Sequence, residues 1–94
     1  MAWRIEWDDR KRASNLKKHD LDFSDVVELL AGHHFMWADT REDYEEERWN
    51  AVGEIKGRTV IASFTFRGPQ WIRLFSLRGA TRREREAYQT GFQD

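Results

Sequence analysis

The chain reads as an α+β protein: a twisted antiparallel β-sheet of about four to five strands, packed with two N-terminal helices and one C-terminal helix. Three observations lead there. Between Arg48 and Leu77 lie three strand-like runs separated only by Ile55-Lys56-Gly57-Arg58 and Arg67-Gly68-Pro69-Gln70, and such short Gly- and Pro-bearing connections join antiparallel neighbours. Helix-start signals stand at Asp8, Asp22 and Thr81, the oxygen-bearing side chains that accept the first free N–H groups of a helix. No repeat, linker or low-complexity tract divides residues 1–94, so one domain with one core is expected.

Trp3-Arg4-Ile5-Glu6-Trp7 alternates large apolar with charged residues, the period of a half-buried strand. Asp8 then caps a helix over Asp9–His19, whose thin apolar face is Ala13 and Leu16. Asp20 sits where the chain turns. Asp22 facing Asp25, flanked by Leu21 and Val26, predicts a second capped and stapled helix ending near Ala31-Gly32. His33 to Ala38 is apolar enough for a strand, and Asp39 to Glu47 is an acidic loop without periodicity. The runs Arg48–Glu54, Thr59–Phe66 and Trp71–Leu77 complete the sheet. In the middle run Val60, Ala62, Phe64 and Phe66 share one face. Thr81 with Glu84 three residues on forms a capping box, starting the last helix at about Arg82 and carrying it to Gln89 or beyond.

Composition narrows the function classes. Zero cysteines exclude a disulfide framework and thiolate metal sites, and favour a reducing, cytoplasmic setting. No apolar run approaches the roughly 18 residues that span a bilayer, so no membrane partner is expected. Five Trp, six Phe and two Tyr give a chain that is 35% charged enough apolar area to fold. The formal net charge of −1 hides a polarised molecule. Residues 58–94 carry seven Arg and Lys against three Asp and Glu, +4; residues 1–40 carry six against eight, −2; residues 41–57 carry three against six, −3. Cations gathered at one end suit a local grip on a polyanion.

No metal-ligand spacing stands out among His19, His33 and His34, since adjacent imidazoles on a strand point to opposite faces. No phosphate-cradling glycine loop and no Ser-His-Asp set is legible. What remains is an arginine constellation: Arg67 at a turn, Arg73 in the last strand, Arg78 leaving it, and Arg82, Arg83 and Arg85 on the helix behind. Guanidinium groups fit phosphate bidentately and stay charged at any working pH. Cleaving RNA without a metal needs a proton acceptor for the 2′-hydroxyl, cations for the phosphorane and a proton donor for the leaving oxygen. Arginines supply the second. On an unbroken strand Arg73 and Arg78 face opposite ways, so the site is assigned to Arg78. His19, Glu84 and Tyr88 are the candidate proton-transfer groups, imidazole being the side-chain type suited to neutral pH. Each also has a structural explanation. Glu84 is a cap, Tyr88 a packed ring with a wet tip, and Lys17-Lys18-His19 complements a helix dipole. Trp37, Trp49 and Trp71 could stack on bases, but at strand spacing they read as core.

Ile5-Glu6-Trp7-Asp8, Asn15-Leu16-Lys17-Lys18-His19 and Asp22-Phe23 resemble the opening of the BrnT toxin family, and Phe75-Ser76-Leu77-Arg78-Gly79-Ala80-Thr81 with Glu84-Arg85 and Tyr88 resembles its closing motif. The resemblance implies a RelE-like fold and a metal-independent endoribonuclease toxin that slows growth by cutting RNA, with no cofactor. It implies a cognate BrnA-type antitoxin that neutralises the toxin in a hetero-oligomer and reaches operator DNA through its own domain. Carried over by position, the functional residues are Lys18, His19, Ser76, Arg78, Glu84, Arg85 and Tyr88, with Arg67 where the family places a basic residue. Lys17, Arg73, Arg82 and Arg83 would add RNA contacts. Two positions depart from the pattern: Asp20 stands for the usual glycine, implying a left-handed turn held by Asp, and Gly79 stands for a bulkier residue, implying a looser seat for Arg78. The alternative is a non-catalytic toxin that binds its antitoxin and helps it repress the operon.

Overall fold

In the computed structural model, which describes residues 2–91, the Trp3–Trp7 alternation forms a short strand, β1 (Arg4–Glu6). Asp8 accepts the backbone N–H groups of Arg10 and Lys11 and starts α1 (Asp9–His19). The helix stops because Asp20 enters the left-handed region at φ 57° and returns its N–H to Leu16 O. Asp22 caps a 3₁₀ turn (Phe23–Asp25) through Ser24 N–H, and α2 (Val26–Ala31) follows directly. The expected reciprocal bond from Asp25 is absent: its carboxylate lies 3.6 Å from Lys56 Nζ instead. Then come β2 (Phe35–Ala38), β3 (Trp49–Ile55), β4 (Arg58–Gly68), β5 (Trp71–Gly79) and α3 (Arg82–Gln89). The last opens on the complete Thr81–Glu84 capping box.

The sheet order is β1-β5-β4-β3-β2. Strands β2 to β5 form the antiparallel meander that the short turns require, and Lys56-Gly57 (φ 49° and 81°) closes the β3–β4 hairpin in two residues. One strand departs from an all-antiparallel sheet. β1 pairs β5 in parallel, Arg4 opposite Trp71 and Glu6 opposite Arg73. The chain leaves β1 through α1 and α2 and comes back to its side only with the last strand, so the sheet is mixed.

One face of the sheet holds the core. Met36, Ala51, Ala62 and Leu77 form a cross-strand row on it, as do Trp49, Phe64 and Leu74. Phe23, Val26 and Leu29 close over this face and are fully buried. Gly53 lets α2 approach, since a Cβ there would stand 2.8 Å from Leu29 Cγ. The apolar face expected for α1 is not its contact: Leu16 is 45% exposed, Ala13 is exposed, and the buried residue is Asn15. β1 has ended by Arg73, so α1 lies along the open edge of β5. It docks there by an amide rather than by methyl groups.

The opposite face carries Phe35, Val52, Ile61 and Arg78 as one row across β2 to β5. α3 lies on this row, with Tyr88 against Phe35 at one end and Glu84 on Arg78 at the other. Phe66 keeps the core-side register, opposite Ile72 and against the rings of Phe64 and Trp49, yet is 40% exposed because β3 begins opposite Phe64 and gives it no neighbour on that side. Gly79 pairs with Val60 at the end of β5, and its bare Cα lets Arg58 Nη2 come within 3.0 Å of where a Cβ would stand.

Candidate functional site

The site begins with an irregularity in β5. Ser76 pairs with Ser63, yet Leu74 pairs with Phe64, leaving Phe75 as an extra residue. This bulge resets the alternation. Arg73 and Arg78 sit opposite Thr65 and Ile61, four residues apart on β4, so both arginines share the face opposite the core. The unbroken-strand expectation that they diverge is corrected by that one residue.

Beside the bulge, the edge of β5 and α1 enclose a groove of about 240 Å³ lined by Lys11, Ser14, Asn15, Lys18, His19, Phe75 and Ser76. Asn15 sets its width: its Oδ1 accepts Leu77 N–H at 3.1 Å, and its Nδ2 donates to Leu21 O at 3.0 Å. Lys11 and Lys18 are seven apart, two turns of one helix face, and Lys11 Nζ sits 5.1 Å from the centre of the Phe75 ring. His19 is half-buried at the end of α1, where Arg58 Nη1 donates to its carbonyl at 3.3 Å. The groove thus holds two ammonium groups, an imidazole, two hydroxyls, an amide and an aromatic ring.

Arg78 stands two residues beyond Ser76 on the same face, about 7 Å along the strand. Its Nη1 and Nη2 donate to Glu84 Oε1 and Oε2 at 2.7 and 2.8 Å, and Nη1 also reaches Gly79 O at 3.4 Å. Three of five guanidinium N–H groups are thereby used. The Nε–Nη2 edge keeps two donors without a partner among the described residues, a fork that fits phosphate. Hydrogen bonding by Arg78 chiefly, with Thr81 N–H adding to it, lowers the Glu84 carboxyl to about 2 against the cost of burial. The same bond raises the Arg78 pKa, opposed by burial and by the positive charge of Arg41.

The remaining sequence-predicted residues lie elsewhere. Arg67 pairs with Glu6 at 2.8 Å, and Arg73 lies 3.9 Å from the same carboxylate. Six residues of β4 separate Arg67 from Ile61, the partner of Arg78, which is roughly 20 Å. Tyr88 donates to His33 O at 2.9 Å over the β2 edge, three strand spacings or about 14 Å from β5. Burial and, secondarily, Glu54 raise its pKa. Arg82 pairs with Glu86, Arg85 donates to Ala80 O, and Lys17 and Arg83 are exposed. The groove therefore gathers Lys18, His19 and Ser76; Arg78, braced by Glu84, and Arg73, beside Glu6, stand two β4 residues to either side of the Ser76 partner, and Arg67 and Tyr88 lie farther off.

Residues that sequence reasoning passed over surround this set. Asp39, 3% exposed in its side chain, holds Arg41 by two bonds of 2.9 Å. Arg48 lies 4.3 Å from the ring centres of both Tyr44 and Phe75, with its Nε buried and unbonded. Both arginines belong to or border a loop dominated by Glu and Asp, where surplus acid masks individual cations. The one available signal was Asp39 itself, an acid directly after an apolar strand.

The model of the family described as "ribonuclease toxin, BrnT, of type II toxin-antitoxin system" matches residues 7–84. Among solved structures, the chain is similar to the Brucella abortus ribonuclease toxin BrnT, with 29% identity, TM-score 0.62, and coverage of 85% of this chain and 99% of that one. No curated protein matches it. With 78 contiguous residues inside the family model, from β1's flank into α3, the chain belongs to the BrnT family of ribonuclease toxins of type II toxin-antitoxin systems.

Proposed function

We propose that this chain is an endoribonuclease that cuts RNA without a metal, in the groove between α1 and the bulged edge of β5. Family membership implies an antitoxin partner; we take it to be of the BrnA type, neutralising the toxin in the cytoplasm and carrying the operator-DNA contacts itself. The observation that carries the catalytic reading is the placing of His19 and Lys18 beside Ser76 in one groove, with Arg78 next along the strand.

The chemistry then runs on this chain's own groups. His19 takes the proton of a ribose 2′-hydroxyl, and the freed oxygen attacks the adjacent phosphorus. The bond from phosphorus to the 5′-oxygen breaks, leaving a 2′,3′-cyclic phosphate on one fragment. The leaving oxygen takes a proton back from the imidazolium, so the histidine ends as it began. The free edge of Arg78 and the ammonium of Lys18 meet the non-bridging oxygens, whose charge grows as the phosphorane forms. Glu84 has a carboxyl near 2, so it is ionised at neutral pH and acts by holding Arg78, not by giving a proton. Tyr88, engaged with His33 O, stays outside the reaction.

Expression in bacteria tests this reading. Wild type is expected to arrest growth and degrade cellular RNA, and Arg78→Ala and His19→Ala to do neither while accumulating as folded protein. Equal growth and equal RNA integrity for all three would favour the non-catalytic, antitoxin-binding alternative.

A further inference from the structure

The face of the sheet opposite the core carries a polar row beyond the edge of α3. Asn50, Ser63 and Ser76 are cross-strand partners on β3, β4 and β5, and Ser63 Oγ donates to Asn50 Oδ1 at 2.7 Å. The row spans two strand spacings, about 10 Å. Ser63 and Ser76 are half-buried and Asn50 is buried, so the row meets solvent at its β4 and β5 members. An arginine braced by a carboxylate stands at each end. At the β5 end Arg78 is held by Glu84. At the β3 end Arg41 is held by Asp39, which donates its N–H to Arg48 O at 2.7 Å and stands two residues beyond Trp37, the β2 partner of Asn50, on the same face as the row.

Both pairs have the same construction. In each, the carboxylate is the more buried partner and the guanidinium the more exposed: 3% against 74% for Asp39 and Arg41, 26% against 39% for Glu84 and Arg78. A buried carboxylate that fixes one edge of an exposed guanidinium leaves the other edge ordered and turned outward. Arg41 uses Nε and Nη2 on Asp39, which leaves the Nη1 donors for a ligand.

We infer that this row is a phosphodiester-binding strip for the RNA substrate, with Arg41 a second phosphate clamp facing Arg78. The inference rests on the ribonuclease reading and extends it from the scissile phosphate to its neighbours, since about 10 Å of strand corresponds to roughly three stacked nucleotides. Glu42, Asp43, Glu45, Glu46 and Glu47 flank Arg41 on the loop, so RNA reaching this end depends on the one cation that the buried carboxylate holds forward.

The test uses a short single-stranded RNA in two forms, one fully 2′-O-methylated and uncleavable, one unmodified. Arg41→Gln leaves the buried Asp39 carboxylate without its guanidinium, so thermal melting first establishes that Arg41→Gln and Arg41→Lys are folded at the binding temperature. We expect Arg41→Gln to bind the uncleavable RNA about tenfold more weakly, with a salt slope smaller by about 0.7. Its cleavage rate at saturating RNA should stay within about threefold of wild type. Arg41→Lys should recover the slope and only part of the affinity, because an ammonium keeps the charge and loses the fork. If wild type cleaves RNA but Arg41→Gln binds with unchanged affinity and slope, the strip is wrong and the ribonuclease reading stands. If Arg41→Gln lowers binding as expected but wild type cleaves nothing, the strip stands as an RNA-binding surface and the ribonuclease reading fails.

Discussion

One amide links the two halves of the candidate site: Asn15 accepts the Leu77 N–H at 3.1 Å and donates to Leu21 O at 3.0 Å. Leu77 N–H points away from β4 at a level where β1 has already ended, so without Asn15 it would be an unpaired buried donor. Asn15→Ala should lower unfolding free energy by about 2–4 kcal/mol, from two buried backbone groups left unsatisfied. Asn15→Asp keeps the acceptor and loses the donor. Urea denaturation measures both, and a loss below about 0.5 kcal/mol for Asn15→Ala would contradict the role.

Glu84 has two tasks that mutation can separate. Thr81→Ala removes half the capping box but leaves the Arg78 bridge, so it should cost about 1 kcal/mol of stability and keep RNA cleavage within a few-fold of wild type. Glu84→Gln keeps the size and weakens the brace, so cleavage should fall by at least about tenfold, the loss of one charge-assisted contact. Kinetics on both variants checks this, and equal effects would mean that the cap alone matters.

Acid should unfold the protein through three braced carboxylates. Asp22, Asp39 and Glu84 are each held at about 2, principally by hydrogen bonds from Arg12, Arg41 and Arg78, against roughly 4 in an unfolded chain. A carboxyl depressed on folding stabilises above its unfolded value and loses that contribution as pH falls through the folded one. Stability should therefore hold from pH 7 to about 5 and drop between about 4 and 2. Urea midpoints across this range test it, and Asp39→Asn should flatten the drop.

Gly53 should not tolerate alanine. The new Cβ would meet Leu29 Cγ at 2.8 Å and His34 Cβ at 3.3 Å, and Leu29 is fully buried beneath α2. Displacing α2 should cost about 1–3 kcal/mol, as overpacking does. Thermal melting of Gly53→Ala measures it; an unchanged transition would show that α2 is freer than its packing implies.

The residues that punctuate this fold act locally, and they were readable for that reason. Asp8, Asp20, Thr81 with Glu84, and Lys56-Gly57 each fix a helix end or a turn through bonds to their own neighbours. Three features depend on distant partners and were not readable. The parallel pairing of β1 needs β5, more than sixty residues on. Asn15 lies off the expected Ala13–Leu16 face, because its partner is an edge N–H rather than an apolar surface. The Phe75 bulge leaves no mark in the alternation of Trp71–Leu77, yet it decides which way Arg73 faces. Arg67 illustrates the limit for the site: expected in a turn, it lies within β4, which runs on to Gly68, and neither that nor its distance from Arg78 was legible.

The central claim is that His19 and Arg78 cut RNA through the 2′-hydroxyl without a metal. The most direct measurement incubates the purified chain, with excess chelator, with an oligonucleotide cleaved at a mapped bond and with the same oligonucleotide lacking only the 2′-hydroxyl on the 5′ side of that bond. The account predicts cleavage of the first to a 2′,3′-cyclic phosphate end, none of the second, and loss of cleavage in His19→Ala and Arg78→Ala. Cutting of the 2′-deoxy substrate, or activity that the chelator abolishes, would contradict it.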